Sequence, residues 1–185
     1  METITHLTMA ELTAGMEHIR QAPKDDGVLR MIVRRPEVDS RETLEEAEFS
    51  LVDGLVGDNW KMRGSRLMQD GSPNPDAQIT IMNARSIALI AQNGDRWPLA
   101  GDQLYVDLDL SDDNLPPGTR LAIGSAVLEV SPVPHTGCNK FSARFGVDAM
   151  KFVNTPEGKQ LHLRGINTRI VQAGTIHVGD MVRKL

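Results

Sequence analysis

Apolar positions recur along the chain at two periods, which divide it into a few short helices and many short strands. Met9, Leu12, Met16 and Ile19 fall at helical spacing. Thr8-Met9-Ala10-Glu11 has the reciprocal capping pattern that starts a helix, so residues 9–20 are predicted to be one short amphipathic helix. VLRMIVRR alternates apolar and basic residues up to Pro36 and predicts a strand. SRETLEEAEFS (40–50) is acidic and helix-capable, and predicts a helix whose charges face solvent. LVDGLVGDNW predicts a strand broken by glycines, and the polar, turn-rich 61–77 predicts a loop.

QITIM predicts a strand, and Asn83 is placed to cap a helix over ARSIALIAQ that Gly94 ends. DQLYVDLDL predicts a strand, and RLAIGSAVLEV predicts two strands joined at Gly124-Ser125. VDAMKFVN predicts one or two helical turns, and KQLHLR and TRIVQAG predict strands. The closing TIHVGDMVRKL carries glycines that permit tight bends. The regular strand–helix alternation of a doubly wound sheet is missing. The expected fold is therefore mainly β, a closed or half-open β-barrel with peripheral helices, in one domain over 1–185.

Charge and composition narrow the partners. The 185 residues carry a formal net charge of −5, which disfavours a phosphate backbone as partner, so no nucleic acid is expected. No stretch has the apolar length of a membrane span, and METITHLTMAEL lacks the basic and apolar regions of a secretory signal. A single cysteine makes no internal disulfide and suits a reducing compartment. The expectation is a cytoplasmic protein without a membrane partner.

That cysteine stands in VSPVPHTGCNKFSARFG (130–146). His135 and Cys138 have a spacing compatible with two zinc ligands, but a structural zinc site takes four, and the other histidines (6, 18, 162, 177) are scattered singly. A cysteine hydrolase would need a base, and His135 is the nearby candidate. Free cysteines are commonly buried and inert. Against that, Pro132 and Pro134 pin the loop, Gly137 permits close approach of a ligand, and Lys140 and Arg144 favour the thiolate. Upstream, VDGLVGDNWKMRGS matches neither the phosphate-loop nor the dinucleotide pattern. Its glycines either serve backbone geometry alone or bring Lys61, Arg63 and Arg66 to an anion.

LPPGTRLAIGSAVLEVSPVPHTGCNKFSARFG resembles the C-terminal half of a MOSC domain, the module named after the C-terminus of molybdenum-cofactor sulfurase. The resemblance lies in Cys138, Lys140, Phe141 and Phe145-Gly146. GLVGDNW, with Gly54, Gly57 and Asp58, resembles the family's glycine–aspartate strand. QITIMNARSIALIA, LAGDQLYVDLDLS and GTIHVGDMV follow in the family's order, so the likeness runs from about 50 to 183 and leaves 1–49 as an extension. Gly137, Asn59 and Gln103 stand where many members have proline, a basic residue and asparagine.

The resemblance implies a pyruvate-kinase-barrel-like fold. It also implies binding of a molybdenum-pterin cofactor, or handling of sulfur for one, through Cys138 as metal ligand or persulfide carrier. Lys140 and Arg144, then Lys61, Arg63 and Arg66, are the implied phosphate donors, and Asp58 either meets a pterin nitrogen or fixes a turn. Some members reduce N-hydroxylated compounds. The sulfurase's pyridoxal-phosphate domain has no counterpart here. The functions implied are a molybdenum-dependent oxidoreductase or sulfur transferase, or a holding or delivery module without turnover; a metal-independent thiol enzyme is the alternative outside the resemblance. The partners expected are a small anionic cofactor or substrate and a sulfur-donor or electron-donor protein.

Overall fold

The computed structural model describes residues 5–185; residues 1–4, which open the segment read as lacking a secretory signal, lie outside them. In chain order the elements are α1 (Met9–Ala14), α2 (Met16–Arg20), β1 (Gly27–Arg34), β2 (Glu42–Leu44), β3 (Glu46–Ser50), β4 (Gly54–Leu55) and α3 (Trp60–Arg63). There follow β5 (Ile79–Asn83), α4 (Ala84–Ala91), β6 (Leu104–Asp107), β7 (Arg120–Ile123), β8 (Ala126–Val130) and α5 (Asn139–Phe145). The chain ends with α6 (Val147–Val153), α7 (Pro156–Gln160), β9 (Ile166–Gln172), β10 (Gly174–His177) and β11 (Met181–Lys184).

Seven strands close a barrel in the order β1-β11-β7-β8-β9-β5-β6, with β6 returning to β1. The expected closed, mainly β barrel with peripheral helices is the fold observed. Among the barrel's neighbours, β5 and β6 run parallel and the rest antiparallel. β1 closes the ring: Gly27 and Val28 pair with Val182 and Met181 of β11, while the other edge pairs with β6 across a bulge between Leu29 and Met31. Its last residues then take up β2. β10, β3 and β4 form a separate three-stranded sheet.

The period-2 alternation of the strands feeds two apolar layers. Ile79 and Ile81 of β5 fill the barrel with Leu104, Val106, Leu128 and Ile166. Met82 and Tyr105, one residue out of step, face outward and pack with Ile87, Phe141, Phe145, Phe152 and Leu163 of the helical layer. Both faces of β5 are covered, which is why all five of its residues are buried.

Several local expectations change. The predicted helix at 9–20 is two helices that break at Gly15, where a Cβ would fall 2.6 Å from a Leu89 methyl. The acidic 40–50 segment holds β2 and β3 rather than a helix. Its glutamates alternate with Ala47 and Phe49, and those two enter the barrel core. KQLHLR is not a strand. Thr155 caps α7 by accepting from the Gly158 amide at 2.9 Å, and Pro156 supplies the fixed φ that suits a first turn. The predicted loop at 61–77 begins inside α3. Among the described residues, no helix is long and apolar enough to cross a membrane.

Candidate functional site

The loop between β8 and α5 ends at Cys138, whose side chain is exposed. The loop is tied down on both sides. Asn167 Nδ2 donates to the carbonyls of Val133 and Pro134, at 3.0 and 3.3 Å. Asn154 accepts from the Gly137 amide at 3.1 Å and donates to its carbonyl at 3.2 Å. A Cβ on Gly137 would lie 2.9 Å from Val153 Cγ2, so this glycine makes room for α6 and not, as expected from sequence, for a ligand.

Cys138 opens onto a cleft of about 330 Å³ at one rim of the barrel. Small-molecule sites begin at roughly that size, about 300 Å³. Six basic side chains line it: Arg35, Arg41, Arg63, Lys140, Arg144 and Arg164. The one carboxylate of the wall, Asp39, bonds Lys140 Nζ at 3.3 Å and Arg144 Nη2 at 2.9 Å. Arg41 donates to the carbonyls of Ser40 and Pro98. Among the described residues, neither Arg41 nor Arg63 forms an ion pair.

The electrostatics follow from this crowding. Burial first, then the charges of Arg144 and Arg35, push Arg41 below the usual guanidinium range. Burial and the charge of Arg35 do the same to Arg63. Arginine remains protonated under such shifts, so the wall stays cationic and an anion relieves the repulsion. Asp39 is held below the ordinary carboxylate range, first by its bond to Lys140, then by the charges of Lys140, Arg144 and Arg41. Burial and the charge of Arg164 push His135 down to about 3 against the opposing charge of Asp102, leaving a neutral imidazole at neutral pH.

Two buried pairs support the cations from below. Arg35 donates Nε to Asp58 Oδ1 and Nη2 to Oδ2, at 2.9 and 2.7 Å. Asp58 also accepts from the backbone amides of Arg35 and Trp60. Arg164 donates Nη1 to Asp102 Oδ2 at 2.5 Å and Nη2 to the Ala100 carbonyl, and its guanidinium lies 5.0 Å from the Phe141 ring centre. The second pair is less complete. Asp102 Oδ1, Arg164 Nε and the neighbouring His135 Nδ1 and Asn59 Oδ1 are buried without a hydrogen-bond partner.

The sequence-derived candidates divide accordingly. Cys138, Lys140, Arg144 and Arg63 meet on one wall. Lys61 instead pairs with Asp53 at 2.8 Å on the surface, and Arg66 borders an adjoining depression with Ser65, Met68 and Gln69, which shares Arg63 with the cleft. Asp58 is not part of the cleft wall, its carboxylate being engaged by Arg35 and Trp60. Gln103 lies beneath, with Oε1 accepting from both the amide and hydroxyl of Thr80. Sequence reading missed Arg35, Arg41 and Arg164 as cleft residues. The available signals were local: Arg35 sits between a strand and Pro36, and Arg164 precedes a glycine that takes a left-handed φ of +112°.

One rim of the closed barrel thus gathers an exposed thiol and six basic side chains, of which Arg35 and Arg164 are buried. The MOSC domain profile matches residues 52–183, and the chain belongs to that family. β1, which precedes the matched stretch, nonetheless closes the barrel.

Among solved structures, the YuaD protein of Bacillus subtilis is similar, with a TM-score of 0.57 and 16% identity, over 84% of this chain and 94% of that one. YiiM from Escherichia coli gives a TM-score of 0.54 at 17% identity, over 85% of this chain and 69% of its own. YiiM from Geobacillus stearothermophilus gives 0.53 at 15%, over 88% and 74%. At these identities the likeness is one of fold. No curated protein matches the chain.

Proposed function

We propose that the cleft holds a molybdenum-pterin cofactor, or carries sulfur destined for one, with Cys138 as the sulfur centre. The observation that supports this is the convergence of an exposed thiol and six basic side chains on one wall of a protein with net charge −5. The donor set suits the group. A soft thiolate is an apt ligand for a metal that already sits among sulfurs. Among the described residues, no three His, Cys, Asp or Glu side chains gather to hold a bare ion, so a metal here would bring its own ligand frame. Arg41, Arg63, Lys140 and Arg144 would meet the phosphate, and the unpaired Asn59 Oδ1 would accept from a ring N–H. When bound, the cofactor supplies two-electron redox chemistry, suited to the reduction of N-hydroxylated compounds.

The chain's own part is to bind and orient. Lys140 and Arg144 exchange Asp39 for the ligand's anionic group, and Arg35 and Arg164 hold the wall in place from behind. The exposure of Cys138 also supports the sulfur-carrier reading, because a donor persulfide can reach it and pass sulfur by thiol exchange. Either function calls on a partner for electrons or sulfur.

The test is metal analysis of protein from a molybdate-replete host, with persulfide detection by intact mass. Molybdenum in the wild type and its loss in Cys138→Ser supports cofactor binding. A persulfide on Cys138 without molybdenum supports sulfur carriage. The absence of both sinks both readings and leaves a metal-independent thiol enzyme or a holder of another anion. Turnover of an N-hydroxylated substrate with an electron donor then separates an enzyme from a delivery module.

A further inference from the structure

His135 is a cleft residue whose polar groups the cationic wall does not explain. Its Nδ1 is buried and faces Asp102 Oδ1 at 3.4 Å. Neither atom makes a hydrogen bond, and Arg164 takes the opposite oxygen, Oδ2. Two lone pairs facing each other across that gap would repel, whereas a proton between them attracts. Oδ1 belongs to a carboxylate paired with a guanidinium, so the proton resides on the ring. The seat is built for the ring. Gly165 holds φ +112°, and a Cβ there would stand 3.3 Å from Nδ1 and 2.4 Å from the Ile81 carbonyl oxygen.

We propose that Asp102 fixes His135 as the Nδ1–H tautomer, so that its bare Nε2 accepts a hydrogen bond from an N–H or O–H of the anion bound in the cleft. The inference rests on the reading that the cleft binds an anion, and it deepens that reading by naming the ligand class: an anion that also carries a donor. Asp102 is a positioning residue, and His135 is the group that touches ligand.

The ring's surroundings keep it an acceptor. Arg164, Arg35 and Arg63 act on it from the cleft, and Asp102 opposes them there. His135 also borders a hollow on the other side of its loop, where Asp112, Lys159 and His162 stand, and Asp112 is already bonded to His162 at 2.8 Å. With burial added, the cations prevail and the ring stays neutral. Of its side chain, 18% remains exposed, and Nδ1 is enclosed, so a ligand meets the ring through the edge that carries Nε2.

Two measurements test the proposal. Nitrogen-15 spectroscopy of ligand-free wild type near neutral pH is expected to show His135 Nδ1 protonated and Nε2 bare. The Nε2–H tautomer or an imidazolium would overturn the proposal. The second measurement compares binding of inorganic phosphate, which carries an O–H, with sulfate, which does not. The phosphate-to-sulfate affinity ratio is expected to be about tenfold higher in wild type than in His135→Asn, the worth of one hydrogen bond. His135→Gln, whose amide oxygen reaches the place of Nε2, should keep the wild-type ratio. His135→Asn reaches only the place of Nδ1, so it would keep a structural contact to Asp102 and lose the discrimination. Equal ratios in wild type and His135→Asn sink the acceptor role alone. If neither anion binds wild type, the anion-cleft reading fails and the acceptor role with it.

Discussion

Arg35–Asp58 and Arg164–Asp102 are two buried pairs of the same chemistry, both with a carboxylate wholly removed from solvent, and they are finished differently. Asp58 accepts two guanidinium bonds and two backbone amides, one of them its own partner's. Asp102 accepts one short bond from Arg164 and leaves Oδ1 facing His135, while Arg164 leaves Nε unused. Burying charge is costly unless the remaining polar capacity is satisfied. The first pair meets that condition within the protein and acts as scaffold. The second meets it only in part, beside the thiol loop, where a ligand can supply what is missing. Saturation, more than charge or burial, separates the two pairs.

The sharpest way to break this comparison is to neutralise each acid in turn. Asp58→Asn should cost about 3–5 kcal/mol, the scale of a broken buried pair, read as a shift of the urea midpoint. Asp102→Asn should cost less, about 1–3 kcal/mol, because fewer bonds depend on it. Equal losses would show that saturation does not distinguish the pairs.

A third expectation concerns acid. His135 titrates near 6.5 when unfolded and is held down to about 3 when folded. Between those values the unfolded chain binds a proton that the folded chain refuses. The stability contributed by the neutral ring is therefore complete above about 6.5 and is lost as pH falls toward 3. Its slope reaches up to about 1.4 kcal/mol per pH unit. Stability measured between pH 6.5 and 4.5, above the range of the exposed carboxylates, should fall less steeply in His135→Gln. A parallel decline would mean the ring is not held neutral by its site.

The smallest effects on stability should come from Arg63→Ala, Arg66→Ala and Cys138→Ser, each within about 0.5 kcal/mol as exposed or partly exposed side chains without structural bonds. They differ in binding. Arg63→Ala should weaken inorganic phosphate about tenfold, the scale of one charge-assisted bond, and Arg66→Ala should leave it unchanged. Equal losses from both arginines would place the anion elsewhere.

Much of this architecture was legible in the sequence because barrel strands are written in period 2 and their ends in glycine and proline. The acidic segment at 40–50 was misread because helix-capable glutamates outvoted the Ala47–Phe49 alternation that tertiary packing uses. In KQLHLR, Leu161 and Leu163 imitate a strand, but the Thr155 cap and Pro156 had already committed the chain to a helical turn. For the site, the thiol and its neighbours in the same turn of chain were visible. Arg35 and Arg41 come from one part of the chain and Arg164 from another, both distant from the thiol loop, and convergence of that kind leaves no trace in spacing. The reverse error has the same origin. Lys61 and Arg66 flank Arg63 in sequence, yet a short helix and a left-handed glycine at 64 turn successive residues to different faces.

The pairing of Gly27 with Val182 sets an order of events for synthesis. β1 emerges from the ribosome long before β11, and one of its edges waits for a partner about 150 residues further along the chain. Until then that edge is open to any neighbouring strand, the condition that favours misassembly and aggregation. Closure is slowed by the long loop that β1 and β11 must join, and nascent chains stalled before residue 181 would be the ones most in need of a chaperone.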